Sequence, residues 1–405
     1  INKFIDEIVR VDNNIHKSPT LWNFKQVSGE RLIVTPTGKI THYHDVRVVK
    51  KAASKGMVRA IEAGVTKPLL IVQNVVDFPD GQLVCILGAL ETLYVSLRIR
   101  EKKRFRIFRI GLYAGEKPNE TFEKIVKNAI GLERARVFTR DIAGSDPERM
   151  SPANIVEHVN KTFAGSSNVK IQVIEDEKII AKDYPLLAAV NRAANRVDRH
   201  KARILKLEYV PSDLSRVTET VMLVGKGVTY DTGGADIKIS GKMAGMSRDN
   251  SGAAAVAGFV NTCSILKPPH LKVVGVLCLC RNSVGEDSYV ADELLISKSG
   301  KLVRVTNADA EGRFAMADSL YEMAELAAKE FNPHIYTIAT LMYTELLCYG
   351  AYTAAMDNHS ARAINHAQKL NSSSFRMSEG IEVSVIRPED FKVNAGRCKG
   401  DDLIQ

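Results

Sequence analysis

Two short stretches hold the residues whose types and spacing could do chemistry. Residues 221–258 read VMLVGKGVTYDTGGADIKISGKMAGMSRDNSGAAAVAG, and residues 302–316 read LVRVTNADAEGRFAM. The first carries Lys226, Asp231, Lys238 and Asp249; the second carries Asp309, Glu311 and Arg313. Several carboxylates cannot gather in ionised form without compensating positive charge. Two lysines and an arginine supply some, and bound divalent metal would supply more. An oxygen-rich donor set suits Mg or Mn, or Zn with help from nitrogen. A lysine ligates metal only as the neutral amine, so Lys226 would need a lowered pKa, which an adjacent dication provides. Two ions about 3.5–4 Å apart can activate water and polarise a carbonyl together. Any one of these residues reads equally well as a surface charge in a polar loop. The whole set, with its glycines, favours the site.

The elements that must position them follow from the same stretches. Residues 221–224 are four apolar residues in a row, as a strand buried on both faces requires. Gly225 and Gly227 are expected to stop this strand, with Lys226 at its carboxyl end. Asp231 opens a Gly-rich loop that Lys238 closes. Asp249 precedes the small-residue run 251–260, which suits a helix packed close to a sheet, so it lies near a helix N-terminus where negative charge is favoured. Residues 302–305 read as a second short strand, 307–313 as a turn and 314–331 as a helix. In an extended chain Asp309 and Glu311 point to one side. Sites in open α/β sheets form outside the carboxyl ends of strands, which is where both clusters fall.

Composition sets the frame. The chain has 405 residues, 45% hydrophobic and 25% charged, which is ordinary for a globular protein and enough for two domains with sizeable cores. Its net charge of +9 permits contact with acidic surfaces without arguing for nucleic acid as a partner. The six cysteines show no zinc-ribbon spacing, and Cys278 and Cys280 lie in an apolar run, so core thiols are expected. No signal peptide or apolar span of membrane length is present in the sequence, which gives no case for a membrane and fits a reducing, cytoplasmic setting. His42 and His44 flank Tyr43 on what would be one side of a strand, but no third ligand is near, and no His-Glu-x-x-His motif occurs.

Along the chain, residues 32–34 and 68–76 read as strands and 50–63 and 82–96 as helices. Residues 104–110 (RFRIFRI) alternate basic and apolar, as an edge strand with a solvated basic face would; a face for polyanions is the sharper alternative. A helix follows over 120–130. Pro152 starts a helix running to about residue 163, and 170–174 and 203–209 are strands. Residues 219–341 then alternate strand, site loop and helix. This grammar predicts an α/β protein of two domains: a smaller N-terminal α/β domain over 1–165, and a C-terminal α/β domain over 166–405 with a central, largely parallel sheet covered by helices.

VGKGVTYDTGG at 224–234 and NADAEGR at 307–313 resemble the two signatures of the dinuclear-metal leucyl aminopeptidases, the cytosol aminopeptidase family. The resemblance runs from about residue 135 to the end, and TYDTGGADIK with MAGMSRD is most similar to the animal branch of the family. It implies a metal-dependent peptide hydrolase that removes apolar, leucine-like N-terminal residues, working as a homohexamer with sites facing an interior cavity. It implies two divalent ions, zinc or manganese: Asp231 and Glu311 bridging, Lys226 and Asp249 completing one site, Asp309 the other. Lys238 would stabilise the oxyanion, and Arg313 would hold a bicarbonate acting as general base. Met246 matches a pocket-lining methionine, Asn307 an asparagine behind the ligands, and Thr340 and Leu341 substrate-contacting positions.

Departures from the family pattern support an alternative, a catalytically weakened member with a scaffold role. Its supports are residues 186–200, which replace a glycine-rich stretch, and Tyr343, which replaces a glycine; residues 281–291 also depart from a Glu-Asn-Met sequence, and Ala308 replaces a threonine, a tolerable change. The family's chains also continue beyond the equivalent of Gln405, into a segment that helps wall the specificity pocket. Without it the core site is expected to stand and the pocket to be more open.

Overall fold

The computed structural model describes residues 1–103, 109–115, 119–144, 146–341 and 343–405. Most of the basic run 104–110 lies outside the described residues, as does the side chain of Tyr343. The described chain forms two compact units.

The first unit gathers residues 1–95, 99–133 and 342–386. It is built from small two-stranded pairs and helices. Thr20–Asn23 runs antiparallel to Arg31–Val34, Leu69–Ile71 parallel to Gly111–Tyr113, and Thr353–Met356 parallel to Ile381–Ser384. The helices Arg47–Glu62 and Gly81–Glu91 lie together, with Ala53, Met57 and Ala89 in one small core. Two expected elements are shorter than the apolar runs that suggested them: the strand over 68–76 is confined to Leu69–Ile71, and the helix over 82–96 ends at Glu91. An apolar run does not by itself fix the extent of regular backbone: Val72 is buried although it follows the strand, whereas Val76 at the end of the same run is exposed.

The second unit gathers residues 96–98, 134–341 and 387–405. Its strands are β1 (Val169–Ile174), β2 (Arg203–Tyr209), β3 (Glu219–Asp231), β4 (Leu271–Asn282), β5 (Leu294–Ile296), β6 (Leu302–Arg304), β7 (Pro333–Ile338) and β8 (Leu403–Ile404). Its principal helices are α1 (Pro152–Phe163), α2 (Ser251–Leu266) and α3 (Glu311–Ala327). Five strands form the main sheet in the order β7-β3-β4-β2-β1. β3 pairs parallel with β7 and with β4, whereas β2 pairs antiparallel with both β4 and β1. The sheet is therefore parallel on one side only, which corrects the expectation of a largely parallel sheet. Hydrophobic pattern reports which faces are buried and carries no sign for strand direction.

The burial itself matches the pattern. Met222, Val224 and Val228 of β3 join Val276, Cys278 and Cys280 of β4 in a core with Phe314 and Met323 of α3. Leu223 joins Leu277 and Leu279 on the other face, with Ala253, Ala257 and Val260 of α2. Each strand thus feeds two cores by simple alternation.

Two corrections bear on the site. Gly225 and Gly227 do not stop the strand: β3 runs through them to Asp231. Their role is clearance, since a Cβ on Gly225 would lie 2.6 Å from the Cα of Ala253 in α2. In addition, the strand at 302–305 is not part of the main sheet. β6 lies in a separate three-stranded sheet, antiparallel to β5 and parallel to β8.

Candidate metal centre

Because β3 continues past its glycines, Lys226 projects from a buried strand and is itself 7% exposed. Its Nζ lies 2.9 Å from Asp249 Oδ2 and 2.9 Å from Glu311 Oε1. Asp249 closes the single turn Met246–Arg248, just before α2, and Glu311 is the first residue of α3. The lysine stem passes so close to α3 that a Cβ on Gly312 would sit 2.7 Å from its Cδ. That contact gives the glycine of NADAEGR a physical reason.

The second half of the cluster is built from loops. Asp231 ends β3; its Oδ1 accepts from the Gly233 amide at 2.9 Å and from Asn282 Nδ2 at 2.9 Å. Its other oxygen lies 2.8 Å from Lys238 Nζ, which also contacts Asp309. The loop closes with the Lys238 amide donating to the Thr232 carbonyl at 2.9 Å. One oxygen each from Asp231, Asp309 and Glu311 lie within 4.8 Å of one another. The two halves therefore meet at one acidic centre.

Charge behaves there as expected for buried ions. Burial works against the Lys226 ammonium, but Glu311 and Asp249 outweigh it and hold its pKa above the usual lysine value. Burial likewise opposes the charge on Lys238, and hydrogen bonds to Asp231 and Asp309 raise its pKa nonetheless. Burial pushes Glu311 up to about 8, against the pull of Lys226 and with the charges of Asp231 and Asp249 adding to it. Asp309 is raised too, by burial first.

The donor set fits divalent metal. Apart from the Lys226 ammonium, neither Asp249 Oδ2 nor Glu311 Oε1 has a partner among the described residues, although both are buried. Buried carboxylate oxygens without hydrogen bonds are costly unless a cation meets them. The Lys226 ammonium meets both oxygens, as the Lys238 ammonium meets Asp231 and Asp309. A dication bound among the same oxygens would displace the proton of Lys226.

The remaining expected residues fall in different places. Thr340, beyond the end of β7, donates from Oγ1 to Asp249 Oδ1 at 2.5 Å. Asn307 is exposed and its Oδ1 accepts from the Asp309 amide at 2.7 Å. Met246 is buried in the turn that precedes Asp249. Leu341 is exposed. Arg313 is exposed on the first turn of α3, and no charged partner is recorded for it among the described residues.

Sequence reasoning missed the residues that hold the second loop. The Ala308 carbonyl accepts from Asn282 Nδ2 at 3.0 Å and from Tyr289 OH at 2.7 Å, and its amide donates to Asp236 Oδ2 at 2.6 Å. Gln405 adds Nε2 to the Ala310 carbonyl at 2.7 Å. One signal pointed to Asn282: it is an amide at the carboxyl end of an apolar strand, where sites form.

The catalytic-domain model of the cytosol aminopeptidase family matches residues 137–380. The chain belongs to that family. A Caenorhabditis elegans protein, W07G4.4, named as a candidate aminopeptidase, is 41% identical over 381 residues, covering 94% of this chain and 72% of that protein. Proteins named as probable cytosol aminopeptidases in Metamycoplasma salivarium and Campylobacter jejuni are 34% and 32% identical. Those matches cover 49% and 62% of this chain, and 36% and 54% of the bacterial proteins. Among solved structures, the bottromycin maturation enzyme BotP in complex with Mn shares the fold at a TM-score of 0.81 with 21% identity, over 98% of this chain and 82% of that one. Among the described residues no helix is long and apolar enough to cross a membrane.

Proposed function

We propose that the chain is a metal-dependent aminopeptidase that removes N-terminal residues from peptides, with apolar, leucine-like residues preferred. The observation that carries this reading is the convergence of six charged side chains from two separated stretches. Lys238 meets Asp309 across 71 residues of sequence, and Lys226 meets Glu311. Family membership gives that convergence its chemistry.

Lys226, Asp231, Asp249, Asp309 and Glu311 would together hold two divalent ions; zinc and manganese both suit these donors. Bound there, the ions would supply Lewis acidity at the scissile carbonyl and an activated water. The chain's own groups do the rest. Lys238, held by Asp231 and Asp309, would supply a fixed positive charge to an oxygen that becomes negative in the transition state. Thr340 fixes one oxygen of Asp249 and leaves the other for the cluster. Asn307 holds the backbone at Asp309. Arg313, at the N-terminal end of α3, is the assigned holder of bicarbonate, whose contribution would be that of a general base. Met246, Thr340 and Leu341 are the assigned contacts for the substrate. The reading extends to a cytoplasmic homohexamer, and to a division in which residues 166–405 carry the chemistry and 1–165 form a separate α/β domain.

The test compares leucine p-nitroanilide with its N-acetyl derivative. An aminopeptidase cleaves the first and spares the second, because the free amine is part of recognition. Equal cleavage of both would remove the aminopeptidase reading. Bound metal with no cleavage of either would favour the catalytically weakened alternative.

A further inference from the structure

We infer that Asn282 is a positioning residue that keeps the two site loops of the metal pocket, the one after Asp231 and the one before Asp309, in register and decides which oxygen of Asp231 faces the pocket. The inference rests on the metal-centre reading above. It concerns a residue outside the assigned ligands.

Asn282 is the last residue of β4, 1% exposed, and is the register partner of Asp231 at the end of β3. Its two amide hydrogens go to different site loops. One reaches Asp231 Oδ1 at 2.9 Å and the other the Ala308 carbonyl at 3.0 Å. Both neighbours are acceptors only, so the amide nitrogen must face them; the flipped amide would set oxygen against oxygen. Its backbone carbonyl accepts from the Thr232 amide at 3.0 Å and from Thr232 Oγ1 at 2.8 Å. A single residue thus binds the first site loop by its backbone and both site loops by its side chain.

The consequence is geometric. With Oδ1 of Asp231 taken by Asn282 and the Gly233 amide, Oδ2 is the oxygen that meets Lys238. With the Ala308 carbonyl held by Asn282 and Tyr289, and its amide by Asp236, both backbone groups of the residue before Asp309 are fixed. The opposite side of the amide shows the cost. Asn282 Oδ1 is buried without a hydrogen-bond partner among the described residues, and a Cβ on Gly234 would lie 2.7 Å from it. A buried orphan oxygen calls for an explanation, and the two bonds made by the other end of this amide supply one. Outer-shell partners of this kind set the affinity of a metal site as well as its shape.

The experiment uses the full chain, freed of metal, and titrates Mn²⁺ calorimetrically into the wild type, Asn282→Ala, Asn282→Asp and Tyr289→Phe. It also records thermal unfolding of each metal-free protein and kcat and KM for leucine p-nitroanilide. Asn282→Ala is expected to weaken Mn²⁺ binding by roughly ten- to a hundredfold, with the loss of turnover in kcat rather than KM. Asn282→Asp keeps the shape but turns a carboxylate oxygen toward two acceptors, so it is expected to lose at least as much. Tyr289→Phe removes only the second donor to Ala308 and is expected to give a smaller weakening in the same direction. A structural role alone would lower the unfolding temperature of the metal-free variants and leave Mn²⁺ affinity and kcat at wild-type values, which would overturn the inference. If Asn282→Ala fails to fold, Tyr289→Phe decides: unchanged Mn²⁺ affinity there overturns it. A wild-type chain that takes up no Mn²⁺ would sink the metal-centre reading and the inference with it. A wild type that binds, beside unaltered variants, would sink the inference alone.

Discussion

Lys226 and Lys238 make the same kind of contact with different support. Each ammonium lies between two carboxylates. Lys226 projects from the interior of a strand toward Asp249 and Glu311, which begin or precede helices, and its partners are 4% and 1% exposed. Lys238 projects from a loop, and its partner Asp309 is 33% exposed. The first half is placed by regular structure and the packing of two cores. The second is placed by side chains bonded to loop backbone: Asn282, Tyr289, Asp236 and Gln405. The contrast teaches that the Lys226 half should fail as a unit with the fold, and the Lys238 half should be adjustable without loss of the fold.

Substitutions can break or sharpen that contrast. The largest effect is expected from Asp249→Ala. It removes a proposed ligand and one of two counter-charges of a buried lysine, so the metal-free protein should lose about 3 kcal/mol of stability along with turnover. Denaturant unfolding and metal counting check it, and full activity with full metal content would break the assignment. Lys238→Ala comes next: kcat should fall by about 10²–10³-fold, while metal content and the fold persist. A Lys238 variant that unfolded like Asp249→Ala would erase the distinction between the halves. Arg313→Ala should cost about a hundredfold in kcat at most, the lower end for a lost general base. Metal content should not change, because the residue is exposed and holds no carboxylate of the cluster.

The smallest effect concerns the strand leading into the second site loop. Arg304 of β6 pairs with Asp401, Nε to Oδ2 at 2.7 Å. This bond, with the Cys398 amide, lowers the Asp401 pKa to about 2. A depressed carboxylate stabilises the fold above its ordinary value of about 3.9, and that contribution disappears as pH falls through about 2. Asp401→Asn should therefore unfold at a lower temperature than the wild type at pH 7, and the two should converge near pH 2. A constant difference across that window would contradict the assignment.

Much of the centre was legible in the sequence because its charged residues sit at the ends of apolar strands and the starts of helices, where composition changes abruptly. Asp231, Asp249 and Glu311 are of this kind, and helix α1 and strand β2 lie where Pro152 and the run 203–209 place them. Lys226 was harder to place. Its flanking glycines read as a break, when Gly225 is clearance for helix α2 and Gly227 is clearance for the neighbouring strand β4 at Cys278. The partners of β6 and the antiparallel run of β2 were hidden because a short apolar run has no mark for its neighbour or direction. Asn282 was hidden for another reason: its importance lies in two acceptors, 51 and 26 residues away, that only the fold brings together.

The most direct test of the account is to count metal per chain in the purified protein and measure turnover of leucine p-nitroanilide before and after adding Mn²⁺ or Zn²⁺. The account predicts about two ions per chain, as a dinuclear site requires, with turnover that vanishes on chelation and returns with metal. A chain that binds no metal and cleaves nothing, while remaining folded, would contradict it.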